Sequence, residues 1–232
     1  MPGFRVTIST MNEQSQSEDI SAIATLSDPL RRALFDLVSR SATPIGRDEA
    51  AEALDVPRGT VAFHLERLVQ FGLLDTEFQR RTGRTGPGAG RPAKLYRRAA
   101  NEIVVSVPDR HYALAGELLV SALEQSNRLG EPAQESLTRV CVEHGRTLGM
   151  STGSVDAVLQ STGYEPQDDG DGGLLLHNCP FHQLAKSHTE TICAANLALL
   201  VGVAEGAGER ARKVQFAPRD GYCCVRMARN AE

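Results

Sequence analysis

Proline and glycine divide the first half of the chain into short segments, and this division restricts its fold more than any other sequence feature. The interruptions are Asp28-Pro29, Thr43-Pro44, Asp55-Val56-Pro57 and Gly72. Proline favours the first turn of a helix and glycine favours the position after its end, so these residues mark helix boundaries. Apolar periodicity then predicts a short helix from Ile20, a second from Pro29 to about Arg40, and two more over residues 47–54 and 58–71.

A basic hairpin is predicted directly after the last of these helices. Residues 73–79 and 93–98 have the composition of strands, and the segment between them, TGRTGPGAGRP, is rich in glycine and proline. Residues 80–98 hold seven Lys or Arg and no Asp or Glu, so the rest of a chain of net charge −4 carries −11. Because attraction to phosphate is screened over roughly 10 Å, this strip can bind nucleic acid although the whole chain is acidic.

Two short helices joined by a tight turn and followed by a basic hairpin form the pattern of a winged helix-turn-helix. We expect helix 58–71 to enter the major groove of double-stranded DNA and the hairpin to follow the backbone or minor groove. The predicted DNA-binding residues are Arg58, Thr60, His64 and Arg67 of the helix and Arg80, Arg81, Arg84, Arg91 and Lys94 of the hairpin. His64 could equally pack against a neighbouring helix, and the two helices alone could be an ordinary amphipathic pair.

The second half of the sequence predicts an α+β fold with a small antiparallel sheet. Helical periodicity covers residues 109–127, 132–150, 153–162 and 189–206, residues 166–173 resemble a loop, and LLLHN, VQFAP and YCCVRMA resemble strands. We therefore predict a disordered leader (1–19), a winged helix-turn-helix domain (20–100), a linker and dimerisation helix (101–130) and an α+β domain (131–232).

All five cysteines lie in the second half, and four of them with one histidine form a candidate metal site: Cys179, His182, Cys193, Cys223 and Cys224. Three thiolates and one further group can hold an iron–sulfur cluster, and three cysteines with His182 can hold a tetrahedral zinc. If Cys223 and Cys224 lie on a strand, only one of them should face the site. Buried cysteines without a ligand are the third alternative, and Cys141 is expected in the core.

Two stretches, LSDPLRRALFDLV and DEAAEALDVPRGTVAFHLERLVQFGLLD, resemble the arsenic-repressor-like winged-helix regulators. GRPAKLYR resembles the wing of a subgroup that contains the repressors of iron–sulfur cluster assembly operons, the Suf repressors. The resemblance implies DNA binding by residues 20–100, and the order of the last cysteines, with NCPFH ahead of a helix, implies a cluster-binding sensor domain. Its fourth ligand could be His182, Glu190 or an outside thiol. The cysteine pairs of classical arsenic repressors are missing, since no Cys precedes Cys141.

These features predict a homodimeric transcription regulator, most simply a repressor, that binds a double-stranded DNA operator and senses iron–sulfur or redox status. The alternative is a regulator of the same fold with a structural zinc or a small-molecule effector in its C-terminal domain. We do not expect an enzyme, because Cys179 and His182 fall within one turn and no third catalytic residue can be named. No signal peptide and no apolar run of about 18 residues is present, which predicts a cytoplasmic protein without membrane contact.

Overall fold

A computed structural model describes residues 8–79, 92–209 and 212–228 of the chain. From Glu13 onward they belong to two compact units, Glu13–Val105 and Ser106–Glu232. Of the predicted linker and dimerisation helix, residues 106–130 are therefore grouped with the C-terminal unit and residues 101–105 with the first. No helix in the described ranges is both long enough and apolar enough to cross a membrane.

The helices of the first unit begin and end where proline, glycine and capping side chains predict. They are α1 (Ile8–Thr25), α2 (Pro29–Arg40), α3 (Arg47–Leu54) and α4 (Arg58–Gln70). Asp28 caps α2 by accepting a hydrogen bond from the backbone N–H of Arg31 at 2.9 Å. Asp55 ends α3 in the left-handed conformation, with φ 53°. The predicted positions of α2, α3 and α4 are confirmed to within one residue.

Helix α1 differs from the expected disordered leader, because residues 8–19 are helical. Residues 8–25 contain no glycine or proline, and their Glu, Gln, Met and Ala residues favour helix. The hydroxyls of Ser21 and Thr25 donate to carbonyl oxygens four residues earlier, at 2.8 and 2.9 Å. A polar composition is therefore compatible with a solvent-exposed helix as well as with a disordered segment. Residues 1–7 lie outside the described ranges.

A three-stranded antiparallel sheet completes the first unit. Its strands are β1 (Ile45–Gly46), β2 (Leu74–Gln79) and β3 (Ala93–Arg98), in the order β1-β3-β2. β2 and β3 pair along their whole length, from Leu74 opposite Arg98 to Gln79 opposite Ala93. Both predicted strands are therefore present, whereas the short β1 was not predicted. Residues 80–91, most of the predicted basic loop, lie outside the described ranges.

The core of the first unit holds α4 in place by one face. Val61, Leu65 and Leu68 of α4 are completely buried and pack with Leu34 of α2 and Tyr96 of β3. Their spacing of three and four residues is the inner stripe of an amphipathic helix. The opposite face of α4 is consequently turned to solvent.

The second unit combines helices with a four-stranded antiparallel sheet of order β4-β5-β7-β6. The helices are α5 (Tyr112–Leu129), α6 (Ala133–Thr152), α7 (Val155–Ser161), α8 (His182–Ser187) and α9 (Thr189–Gly206). The strands are β4 (Pro166–Asp168), β5 (Leu174–Leu176), β6 (Lys213–Phe216) and β7 (Val225–Ala228). The α+β prediction for this part of the chain is confirmed.

Two details of this sheet differ from the sequence prediction. The segment 166–173 was expected to be a loop, but its first three residues form β4, which pairs with β5. The tight turn between the two strands is closed by Asp169, whose carboxylate accepts from the backbone N–H groups of Asp171 and Gly173. Cys223 and Cys224 were expected on a strand, but β7 begins only at Val225.

Four glycines bring α6 and α9 into backbone contact. A Cβ atom added to Gly145 or Gly149 of α6, or to Gly202 or Gly206 of α9, would come within 3.0 Å of the backbone of the other helix. The glycines are four residues apart on each helix, so they lie on one face. This close packing fixes α9, which carries Cys193.

Candidate DNA-binding face and cysteine cluster

The solvent face of α4 carries polar and aromatic side chains that nothing in the first unit covers. Arg58, Thr60, Phe63 and Arg67 are exposed, and Phe63 retains 60% of its accessible surface. The major groove of B-form DNA admits an α-helix, whose exposed side chains then reach base edges and phosphates. This group of four residues is called the α4 face below.

The two arginines of the α4 face make only surface contacts. Arg58 Nε lies 2.6 Å from Asp48 Oδ1, but both side chains are about two-thirds exposed. Arg67 donates to Gln70 at 2.9 Å, and its guanidinium lies 5.1 Å from the ring centroid of Phe71. Exposed pairs of this kind are weak, so phosphate oxygens can replace them at low cost.

His64 lies beside the α4 face and is only half-exposed. Its Nδ1 is buried without a hydrogen-bond partner among the described residues, and its ring meets that of Phe63 edge-on at 5.3 Å. The imidazole also interacts electrostatically with Asp28, the cap of α2. These contacts favour the packing alternative over the predicted base contact for His64.

Lys94 faces the protein and not the solvent. Its Nζ lies 2.7 Å from both carboxylate oxygens of Glu66, and the Tyr96 hydroxyl donates to the same carboxylate at 2.8 Å. Partial burial alone would raise the pKa of Glu66, but the hydrogen bonds from Lys94 and Tyr96 outweigh burial and lower it. Lys94 therefore ties β3 to α4, a role that spacing and charge did not reveal. The other predicted hairpin residues, Arg80, Arg81, Arg84 and Arg91, lie outside the described ranges.

The second unit brings the four C-terminal cysteines together. The thiol of Cys179, which precedes α8, interacts with that of Cys223, and the Cys193 thiol of α9 interacts with that of Cys224. Cys223 and Cys224 also interact with each other. Both members of the last pair therefore belong to this group of thiols, whereas the prediction that one of them faces a metal site stays a prediction. They precede β7, where the strict alternation of an extended strand does not apply.

These four residues, called the cysteine cluster below, are largely shielded from water. Cys193 and Cys223 are buried, and Asn196 donates to Cys223 Sγ at 3.2 Å. Interaction with Cys223 and burial raise the pKa of Cys179. Although Cys179 favours the thiolate of Cys223, contact with Cys224 and burial raise the pKa of Cys223 to about 12. The thiols of Cys179 and Cys223 are therefore protonated near neutral pH.

The arrangement of donors bears on the metal that could bind. Within the described ranges, no three or more His, Cys, Asp or Glu side chains converge as a metal ion would require. Each of the four cysteines has another of them as a neighbour, whereas His182 interacts with Arg110 and Lys186. Cysteine thiolates are the usual ligands of iron–sulfur clusters, in which each cysteine binds one of several irons, so such a group does not need all its ligands to meet at one point. Cys141, in α6, is fully buried as expected of a core residue.

The geometry of the first unit defines a class of protein before any comparison: a helix-turn-helix unit with an exposed second helix is built to bind DNA. A family described as a helix-turn-helix domain matches residues 26–77, from the end of α1 into β2. The match indicates a DNA-binding transcription regulator. No curated protein and no solved structure matches the chain.

Proposed function

We propose that the chain is a homodimeric, winged helix-turn-helix repressor whose second unit senses iron–sulfur or redox status. The α4 face carries the DNA-binding part of this proposal. It is exposed on the helix that follows the turn, and it lies within the matched region. In this role Arg58 would bind a phosphate near the N-terminus of α4, and Thr60 and Phe63 would face base edges.

The first experiment measures DNA affinity by fluorescence anisotropy, with a duplex selected from a random library by the full-length chain. Arg58→Ala should weaken binding and reduce the slope of log affinity against log salt concentration by about one, the value for a lost phosphate contact. Arg128→Ala, at an exposed arginine of α5 in the second unit, is the matched control. Failure to select any duplex would contradict DNA binding, and an unchanged slope would remove Arg58 from the interface.

For the wing, the proposal rests on the antiparallel pairing of β2 with β3 and on the basic composition between them. A variant with Arg80, Arg81, Arg84 and Arg91 replaced by Gln should lose affinity for all sequences, because phosphate contacts carry no base information. Retention of full affinity would restrict DNA binding to the α4 face.

For dimerisation, the supporting observation is an apolar strip on α5. Leu119, Val120 and Leu123 keep between 37 and 57% of their surface exposed, at spacings that share one side of the helix. Pairing through α5 would bury this strip and join two copies of the DNA-binding unit in one dimer, as regulators that bind paired half-sites require. Leu123→Glu should give a monomer in light scattering, with Glu124→Gln on the same helix as control, and a dimer that survives Leu123→Glu would place the interface elsewhere.

For sensing, the cysteine cluster would hold an iron–sulfur cluster through Cys179, Cys193, Cys223 and Cys224. When bound, such a group supplies one-electron redox chemistry and sensitivity to oxidants. The chain's own residues would set its surroundings, with Asn196 donating to one sulfur and the sheet and α9 limiting water. A single zinc is the less favoured alternative, because the described donors do not converge on one point.

Anaerobic reconstitution with iron and sulfide tests this part. The wild-type chain should become brown and contain acid-labile sulfide, Cys193→Ala should not, and Cys141→Ala, at a cysteine outside the cluster, should behave as wild type. A colourless chain with stoichiometric zinc would support the alternative. Absence of any bound metal would leave only the DNA-binding part of the proposal.

A further inference from the structure

A cavity of about 390 Å³ opens in the second unit beside the cysteine cluster. Its walls include Arg110, Glu165, His177, Cys179, His182 and Tyr222. This volume lies in the range of about 300–1,000 Å³ that is typical of small-molecule sites. Most of its lining residues are polar or charged, so it is chemically unlike a gap in the apolar core.

Arg110 is held rigidly at this cavity. Its Nη1 donates to the backbone oxygen of Cys179 at 2.9 Å and to the side-chain oxygen of Asn178. Asn178 is itself fixed, since its Nδ2 donates to the backbone oxygens of Asp109 and Gly163. The guanidinium is therefore pre-positioned, and Nε and Nη2 make no hydrogen bond to the described residues.

Arg110 differs from the other half-buried arginines of this unit in the described ranges. Arg212 pairs with Asp156 at 3.2 Å, and Arg226 pairs with Asp169. No described carboxylate lies within ion-pair distance of Arg110. A half-buried arginine without an acidic partner has an uncompensated positive charge, and one edge of its guanidinium is available to donate hydrogen bonds to an anion.

The charges around Arg110 also favour an anion. Burial, with the positive charges of Lys186 and Arg110, lowers the pKa of His182. The one carboxylate in the lining, Glu165, lies 3.8 Å from His177 and is directed toward that ring. Arg219 adds a further positive charge near the cavity, 5.3 Å from the ring centroid of Tyr222.

We propose that this cavity binds a small anion through a carboxylate or phosphate group on Arg110, with His182 and Tyr222 as further hydrogen-bonding groups. The Nε–Nη2 edge of the guanidinium matches two oxygens of either group. Because Arg110 also holds the backbone of Cys179, an anion at this position would act directly on one end of the cysteine cluster.

Calorimetry on the full-length chain, without DNA, tests this site independently of the proposed function. Inorganic phosphate and succinate are titrated separately at constant ionic strength, which distinguishes the two anion classes. At least one should bind saturably with a stoichiometry of one. Arg110→Gln, which can still donate to the Cys179 oxygen, should weaken binding about tenfold or more. Arg128→Gln, at an exposed arginine of α5, should leave it unchanged.

Folding of each variant is checked by circular dichroism. If Arg110→Gln is unfolded, Arg110→Lys takes its place, because it keeps the charge but loses the fork and should still bind several-fold more weakly. The proposal is overturned if neither anion binds the wild-type chain, if the Arg110 variant binds as tightly as wild type, or if Arg128→Gln weakens binding to the same extent.

Discussion

Asn196 of α9 donates from its side-chain amide to Cys223 Sγ, 3.2 Å away, and accepts a hydrogen bond from the hydroxyl of Tyr164. Asn196 and Tyr164 are both about 99% buried. A buried amide between a thiol and a phenol links the cysteine cluster to the core beneath the sheet. A polar side chain can be buried here because each neighbour gives it a hydrogen-bond partner.

Asn196→Ala should therefore destabilise the second unit. The substitution leaves the Tyr164 hydroxyl buried without an acceptor, and an unsatisfied buried group costs roughly 1–3 kcal/mol. Urea denaturation should show a lower midpoint for the transition of this unit. Asn127→Ala, at an exposed asparagine of α5, should leave the midpoint nearly unchanged. Equal stability of Asn196→Ala and wild type would mean that water replaces the lost amide.

Gly149→Ala should have a larger effect, because no side chain fits at this position. Its added Cβ would collide with the backbone of Val203 in α9 and of Ala207 just after it, and this backbone cannot move without separating the two helices. We expect a loss of about 3 kcal/mol, at the upper end of the range for overpacked cores. Gly116→Ala in α5 is the control, since nothing lies within 4 Å of the new atom, and better helix propensity should stabilise by about 0.5–1 kcal/mol. A tolerated Gly149→Ala would disprove the close packing of α6 on α9.

Sequence patterns predicted the helices of the first unit well because the boundaries are local. Pro29 and Asp28 define the start of α2 within four residues of chain, and no distant contact is needed. The partner of Lys94 could not be predicted this way, since Glu66 is 28 residues away and the two meet only when β3 packs on α4. The proximity of Cys224 to Cys193 was missed for a related reason. It depends on where β7 begins, and only strand pairing determines that register.

The Glu66–Lys94 pair makes the stability of the first unit depend on pH. The folded-state pKa of Glu66 is below its ordinary value of 4.5, so the ionised form stabilises the fold. This contribution is complete above the pKa of the unfolded chain and is lost as pH falls through the folded-state pKa. Glu66→Gln should thus lower the urea midpoint at pH 7, and its effect should shrink steadily as the pH is lowered below 4.5. Glu52→Gln, at an exposed residue of α3, is the control and should have little effect at any pH. If the loss of stability in Glu66→Gln is the same at low pH, it comes from altered packing and not from the lost charge.

Phe63 is the one residue of the α4 face that was not among the DNA-binding residues predicted from the sequence. Its ring is 60% exposed and is oriented by edge-on contact with His64. An exposed aromatic ring on a helix that enters the major groove can contact the 5-methyl group of thymine. We therefore expect that replacing one thymine of the selected duplex by uracil weakens wild-type binding about fourfold, the value of one buried methyl group of ~0.8 kcal/mol.

In Phe63→Ala the same replacement should have no effect, because the ring that contacts the methyl group is gone. Anisotropy with both duplexes and both proteins completes a double-mutant cycle that isolates this one contact. Phe216→Ala, at a half-exposed phenylalanine of β6 in the second unit, should retain the fourfold difference. If Phe63→Ala lowers affinity equally for the thymine and uracil duplexes at every position, the ring supports the shape of α4 or contacts the sugar–phosphate backbone and does not read thymine.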